Sequence, residues 1–396
     1  MALSVLSLYR PTWLDTNGAR CCGPDEDAVT MAVAALRPLV ETDRVIERVV
    51  LVTRRPALLE GDTASVVAHA IGLPHIAVAE VLGGAPAVVD VLLSAPSGTA
   101  VVAIETGAPA GAGAMLVGDE GLSLTAAGAV RSSLPLSIRR TAEPFARTYD
   151  DPRLLRELGW KPALQALTGE DLSVVVGVPA VLQRSPGYDA TMSGAVGPGG
   201  PAAVPFALEL IVERGSGRLV AVEQAQAVAV DVQGSTDVLR DERSGVPRPA
   251  QRRGPEADLP ISLAAYARAF EEKVGFLAGR CERCGTLSYP ARYRCLGCGA
   301  EGSVPLAPLP RQATVYTVVT VRVPVPGLES PYSLAIVELD AGEVRMLVQV
   351  VDAPPGSAAI DDTGTLVFRK VADRQGIPDY GYAFQPSTVR SLEAAS

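Results

Sequence analysis

Histidine is nearly missing from this chain: His69 and His75 are the only two in 396 residues. A histidine-assisted catalytic site has almost nothing to draw on. Aromatic residues make up only 5% of the sequence, and Ala, Val, Gly and Pro dominate in their place, a composition that suits tightly packed α/β layers. No stretch approaches the ~20 apolar residues of a membrane span. The opening MALSVLSLYRP lacks a basic region, and its apolar run is too short for a secretory signal. Positive charge is also in deficit. The net charge is −9 and the pI about 5.0, which argues against a general binder of nucleic acid or anionic membrane. Without a secretion signal the thiols are expected to stay reduced, and the cytoplasm is the expected compartment.

What the chain does have is length and four clustered cysteines. At 396 residues, 48% hydrophobic, it can bury a sizeable core, and two or three domains are expected. The run CERCGTLSYPARYRCLGCG holds Cys281, Cys284, Cys295 and Cys298. Two C-x-x-C pairs ten residues apart can place four thiolates around one tetrahedral zinc. Gly285 and Gly299 follow each pair, and glycine permits the φ > 0 turn that aims backbone amides at sulfur. A redox dithiol or two disulfides are the other uses of such pairs, and a reducing compartment disfavours disulfides.

The first 230 or so residues alternate apolar strands and helices. A strand at 3–9 leads to PDEDAVTMAVAALRPLV, where Pro24, Asp25, Glu26 and Asp27 sit where a helix N-terminus favours proline and negative charge. Val29, Val33, Leu36 and Val40 then share one face. Strands follow at 45–53, 76–81, 99–105 and 112–118, with helices at 63–72 and 86–95 between them. Further on come a helical DDPRLLRELGWKPALQAL, a buried strand SVVVGVP, a helix at 204–215 and the strands RLVAVEQ and AVAVDV. This pattern indicates a layered α/β domain with a largely buried sheet. Residues 237–260 are polar, charged and proline-rich and read as a linker or an extended arm. The amphipathic helix 262–275 leads into the cysteines. Four period-2 strands beyond them suggest a small closed barrel such as an OB-fold. The expected division is an α/β domain over 1–232, a linker over 233–260, helix plus ribbon over 261–305 and a barrel over 306–396.

The last ~125 residues resemble the zinc-ribbon and OB-fold proteins that accompany thiolase-superfamily enzymes. The matching features are the four cysteines, Pro290 and Arg292 between them, SPYSLAIVELD and the closing PDYGYAFQP. That resemblance implies a partner of enzymes acting on acyl-CoA thioesters. The first 232 residues resemble the HMG-CoA synthase and ketoacyl synthase III branch of the thiolase superfamily. The likeness is carried by the YRP turn, PDEDAVTMAVAALRP, GAGAMLVG and TYDDPRLLRELG. It implies a five-layered αβαβα fold of two similar halves, the second one short here.

The chemistry of that superfamily needs a cysteine thiolate at a helix N-terminus, a histidine, and an asparagine or second histidine at an oxyanion site. The resemblance places Gly83, Gly84 and Ala85 where the nucleophile belongs. Gly177, Val178 and Pro179 stand at the histidine, and Gly194-Ala195-Val196-Gly197 at the asparagine turn. The terminal glycine-rich turn reads EQAQAVAV. No catalytic residue is therefore assigned. Other candidates are weaker. Cys21 and Cys22 precede a helix, but the acidic trio beside them raises a thiol's pKa. His69 and His75 read as packing or surface residues, and Glu80 only ends a strand. SGAVGPGGP lacks the lysine and spacing of a P-loop.

Arg280, Arg283, Arg292 and Arg294 make the ribbon locally basic; they can attract CoA phosphates or be ordinary solvated arginines. Tyr289, Tyr293, Tyr316 and Tyr332 could stack on nucleic-acid bases, a reading that the acidic chain disfavours. The sequence thus favours a zinc-containing, non-catalytic accessory subunit of acyl-CoA metabolism, which joins a thiolase-fold subunit and forms an oligomer, with a CoA thioester as possible ligand. A free-standing acyltransferase with a relocated nucleophile and a nucleic-acid-binding OB-fold protein are the other two readings.

Overall fold

Near-continuous apolar strands need cover on both faces, and strand alternation decides which side chain meets which cover. The computed structural model describes residues 1–61, 63–140, 146–149, 151–167, 173–178, 198–254, 260–302, 304–323, 326–340 and 344–388. The first half runs through β1 (Ala2–Arg10), α1 (Ala28–Val40), β2 (Arg48–Thr53), α2 (Ala64–Ala70), β3 (Ala77–Leu82), α3 (Ala85–Ser94), β4 (Thr99–Glu105), β5 (Gly111–Gly118) and β6 (Leu122–Val130). The second half has α4 (Lys161–Leu167), β7 (Ser173–Val176), α5 (Ala203–Arg214), β8 (Ser216–Glu223), β9 (Gln226–Gln233) and β10 (Asp237–Glu242). The strands form one mixed sheet in the order β7-β8-β9-β6-β1-β5-β4-β2-β3.

This sheet forks at β1. Ala2 and Leu3 pair with Ser123 and Leu122 of β6, whereas Val5 to Arg10 pair in parallel with Asp237 to Glu242 of β10. A register shift between Leu3 and Val5 marks the fork. Alternation then sorts the side chains. Ala100, Val102 and Ile104 of β4 pack with α1 and α2, while Val101 and Ala103 pack with α3 and α5. On the far limb Leu219 and Ala221 of β8 meet the same α3–α5 layer, and Val220 and Val222 meet α4. The layers are therefore α1–α2, sheet, α3–α5, sheet, α4, which is the five-layered αβαβα arrangement expected from the resemblance.

Strand β5 is the closest approach in this stack. A Cβ at Gly113 would lie 2.5 Å from Pro205 of α5, and one at Gly111 would overlap Pro198. The glycines of GAGAMLVG thus let a helix lie directly on the strand.

The acidic trio divides. Helix α1 begins at Ala28, and Asp27 is its N-cap in a reciprocal box with Thr30. Asp25 and Glu26 lie before the helix, outside its first turn, and are buried. The expectation that all three serve the helix terminus is corrected on this point. The polar stretch after residue 236 is zippered to its neighbours rather than free: β10 joins β1, Val246–Pro247 pairs with Trp13–Leu14, and Arg252–Arg253 pairs with Glu329–Ser330.

Ser262 caps α6 (Leu263–Gly275), which leads into the ribbon strands β11 (Leu277–Arg280), β12 (Leu287–Ser288) and β13 (Leu306–Pro308). Then β14 (Gln312–Val321), β15 (Tyr332–Leu339), β16 (Arg345–Val350), β17 (Thr363–Arg374) and β18 (Ile377–Pro386) close a five-stranded barrel in the order β14-β15-β16-β18-β17. Its core is continuous with the α1 layer: Val315, Val337, Leu366, Phe368 and Phe384 share one buried cluster with Val29, Val33 and Leu36. Tyr380 donates a hydrogen bond to the Asp27 carboxylate at 2.8 Å, and Arg311 pairs with Glu41 at the other end of α1.

Gly113→Val forces β5 and α5 apart, and is expected to cost about 1–3 kcal/mol. A lowered urea midpoint for the full chain is the expected readout; an unchanged midpoint contradicts direct helix-on-strand contact.

Candidate functional site

Two places were singled out by sequence, the four cysteines and the vacated catalytic positions. The cysteines come together. Their Sγ atoms all lie within 4.8 Å of one another, with Cys281–Cys298 at 3.8 Å and Cys284–Cys295 at 3.5 Å. A tetrahedral zinc with Zn–S bonds of about 2.3 Å sets its sulfurs about 3.8 Å apart, so the four thiols fit that ion. The two knuckles repeat one backbone pattern. The Cys281 amide donates to Thr286 O at 3.0 Å and the Gly285 amide to Cys281 O at 2.8 Å; the Cys295 amide donates to Ala300 O at 2.9 Å and the Gly299 amide to Cys295 O at 3.0 Å. Gly285 and Gly299 have φ of +78° and +70°, the left-handed turn that the spacing requires. The Gly297 amide also points at Cys295 Sγ, 3.3 Å away. Cys281 and Cys295 are buried, whereas Cys284 and Cys298 face solvent. Below them Leu287, Ala278 and Phe276 belong to the core shared by α1 and the barrel.

The ribbon arginines are all exposed. Arg292 and Arg294 line one shallow depression of about 520 Å³ with the exposed Tyr293 and Leu296, and Arg283 is not among the residues lining it. Arg294 stands 3.8 Å from Glu301. Of the four tyrosines, Tyr332 is buried and Tyr289 half-buried against Phe276; burial raises the Tyr289 phenol to about 12. Only Tyr293 and Tyr316 are exposed, and Tyr316 lies under the Arg345 guanidinium, 3.8 Å from the ring centroid.

The positions that the resemblance sets against a catalytic site are filled from within the chain. Gly84 is the N-cap of α3, where the unpaired amides of the first turn favour a negative partner. That partner is Glu223, the last residue of β8, whose Oε2 accepts the Gly84 amide at 3.0 Å. Arg54 holds the same carboxylate, with Nε 2.6 Å from Oε1. A Cβ on Gly84 would stand 2.5 Å from Arg54 Nη2 and from Glu223 Oε2, and one on Gly83 would overlap Ala87. Gly177, beside the expected histidine position, has φ of +87°, and a Cβ there would run into the Val222 carbonyl. Val178 is buried, while Pro179 and the Gly194–Gly197 turn lie outside the described residues. The glutamate of the turn EQAQ, which stands where the resemblance expects a glycine-rich turn, supplies the group that fills the helix terminus.

The remaining candidates take structural places. Cys22 is half-buried with Sγ 3.4 Å from Met31 Sδ, and burial, helped by Glu26, pushes its thiol well above the ordinary range. Burial raises Cys21 too. Neither is activated as a nucleophile. His69 bonds the Ser65 carbonyl at 2.8 Å and meets the Phe270 ring edge-on at 4.8 Å, and His75 is exposed. Glu80 accepts a hydrogen bond from the Thr63 hydroxyl.

Purified chain is expected to carry one zinc. Cys295→Ser removes a buried ligand and is expected to lose the metal, because binding and local folding are coupled. Metal quantification with hydrogen exchange over residues 275–303 checks this: stoichiometric zinc in the variant, or an unchanged ribbon after full chelation, contradicts a structural four-thiolate site.

Residues 275–303 match the family described as the rubredoxin-like zinc ribbon domain of ChsH2, and residues 307–369 match the ChsH2 C-terminal OB-fold domain. A DUF35 domain-containing scaffold protein of Methanothermobacter thermautotrophicus is 30% identical over 125 residues, 31% of this chain and 93% of that protein. The benzoylsuccinyl-CoA thiolase subunit BbsA of Thauera aromatica is 32% identical over 107 residues, 27% of this chain and 72% of that subunit. Among solved structures, the 3-oxoacyl-(acyl carrier protein) synthase III of Pseudomonas aeruginosa overlaps 60% of this chain and 99% of its own, at 16% identity and a TM-score of 0.46. Through its zinc ribbon and barrel, this chain belongs to the DUF35 domain-containing family.

Proposed function

We propose that this chain is a non-catalytic accessory subunit of acyl-CoA metabolism, which supports a thiolase-fold acyltransferase or condensing enzyme. The observation that carries the reading is the Glu223–Arg54 pair seated on the Gly84 amide. An acyl-transfer site of this kind needs a thiolate at that helix terminus and a free pocket in front of it. Here no thiol is present at the terminus, and the Glu223 carboxylate, held by Arg54, occupies the place. The names of the relatives, a scaffold protein and a thiolase subunit, agree with a supporting role.

The parts divide the work. The five-layered unit over 1–232 is a degenerate thiolase-like domain. Residues 233–260 connect it to the helix and ribbon over 261–305, and the barrel over 306–396 completes a docking module whose shape the zinc fixes. Sheet edge β3 supports the partner reading. Among the described residues it pairs only with β2, and it carries the exposed Leu82 with Glu80 as its one charge and no lysine, proline or bulge. Arg283, Arg292 and Arg294 are assigned to the phosphates of a CoA thioester presented by the partner, with Arg292 and Arg294 the closer pair in the ribbon depression. Among the described residues no helix is long and apolar enough to cross a membrane. A reducing cytoplasm is the compartment in which four free thiols hold zinc.

Incubation of the full chain with acetyl-CoA or acetoacetyl-CoA is expected to leave its intact mass unchanged. A covalent acyl adduct on any residue, mapped by peptide mass, contradicts the non-catalytic reading and favours a relocated nucleophile.

A further inference from the structure

Three carboxylates surround one guanidinium where the barrel meets the α/β unit. Arg369 of β17 has a side chain only 3% exposed. Its Nε lies 3.0 Å from Asp25 Oδ2, and its Nη2 lies 2.8 Å from Asp352 Oδ2 and 3.8 Å from Glu26 Oε1. Nη2 also donates to the Tyr9 hydroxyl at 3.3 Å, and Tyr9 in turn donates to Glu26 Oε1. The Gly23 amide donates to Glu26 Oε2 at 2.7 Å, and Gln385 donates to Asp352 Oδ2 at 2.7 Å. Asp25 and Glu26 come from the turn before α1 and Tyr9 from β1; Arg369, Asp352 and Gln385 come from the barrel. A backbone bond crosses the same seam, from the Lys370 amide to Asp25 O at 2.9 Å.

With all three acids ionised, the cluster would hold two net negative charges in a place nearly closed to water, which is costly. Among the described residues no second cation lies within ion-pair distance of these three acids. Lys370 pairs with Asp373 instead, and Arg243 donates to the carbonyls of Pro386 and Ser387. The other groups facing the cluster are Asp241 of β10, whose charge Arg243 and Arg311 partly offset, Asp27 engaged by Tyr380, and the thiols of Cys21 and Cys22, with Arg248 acting on Cys21. Asp25 and Glu26 also line a cleft of about 310 Å³ shared with Gln251, Glu329 and Lys370, which gives protons a route in.

We propose that this seam is a proton-linked latch: protons held on Asp25 and Glu26 keep the barrel docked on α1, and their loss loosens the docking. Burial is the largest cause pushing Glu26 up from 4.5 to about 7 and Asp25 up from 3.8 to about 6; the Arg369 charge opposes it and Asp352 adds to it. The docked state therefore binds more protons than the open state between pH 4 and pH 7. A carboxyl raised in the docked state contributes stability that is full below its open-state pKa and is lost as pH rises through the docked-state value. Docking weakens over that window and levels off above about pH 7, opposite in sign to a salt bridge with a depressed carboxylate.

The test is hydrogen exchange of the full chain from pH 5 to pH 8, corrected for intrinsic rates and read at the Lys370 amide. Each proton released makes the opening equilibrium about tenfold more favourable per pH unit. Protection at Lys370 is expected to fall by about tenfold between pH 6 and pH 7 and more steeply below pH 6, where both acids release protons, while amides of α3 hold steady. Glu26→Gln keeps the shape of the side chain and removes its titration, so protection should flatten above pH 6, where only Asp25 has been titrating. Wild-type protection at Lys370 that is independent of pH overturns the proposal, and so does a slope in Glu26→Gln equal to that of the wild type between pH 6 and pH 7. Arg369→Met, if it folds, is expected to lower protection at every pH by stranding the acids.

Discussion

The first free amide of α3 calls for a negative partner, and the chain answers with its own Glu223. That bond ties the two limbs of the sheet together, because Gly84 follows β3 on one limb and Glu223 ends β8 on the other. Arg54, just beyond β2, completes the pair and neutralises it. The middle helical layer is thereby pinned at the spot where a thiolase-fold enzyme would keep a thiolate exposed to its acyl donor. A pocket of about 690 Å³ still lies in front, with Arg55, Arg139, Tyr149 and Trp160 among its walls, but the group facing it at the helix terminus is an ion pair. The side chain that satisfies the helix terminus also occupies the space in front of it.

The ribbon and barrel are mounted on the opposite side, against α1. Their attachment is partly apolar, through a single buried cluster, and partly ionic, through Arg369. A buried guanidinium with more acids than it can neutralise is weak as a source of stability and strong as a device for orientation, since each misalignment strands a charge. The four thiols add a second constraint. A metal held by Cys281, Cys284, Cys295 and Cys298 ties two knuckles that have almost no core of their own and rests them on Leu287 and Phe276. Orientation at the seam and rigidity at the ribbon are what a docking module needs, and neither requires catalysis.

Features whose cause is local were legible in the sequence. The C-x-x-C spacing with trailing glycines foretold two matching knuckles, and strand alternation with helical periodicity foretold the layers and the barrel strands. Features that depend on partners far along the chain were not. Asp25 and Glu26 read as charges at a helix start, because nothing nearby reveals that Arg369 will meet them. Glu223 is an ordinary polar residue at a strand end in the sequence, yet the fold carries it to the α3 terminus. DVLRDE read as part of an arm because it is polar; its pairing with β1 uses backbone groups, which leave no mark on side-chain composition. Local chemistry sets elements and metal ligands, whereas long-range electrostatics is written only in the fold.

The central claim is that this chain supports catalysis by another subunit without performing it. The direct measurement is acyl transfer or condensation by a thiolase-fold enzyme from the same host, with its own cysteine and histidine intact, assayed alone and after co-expression with this chain. The account expects a stable complex whose activity exceeds that of the enzyme alone and survives Glu223→Gln in this chain. No complex and equal activity with and without the chain would contradict it, as would turnover by this chain in the partner's absence.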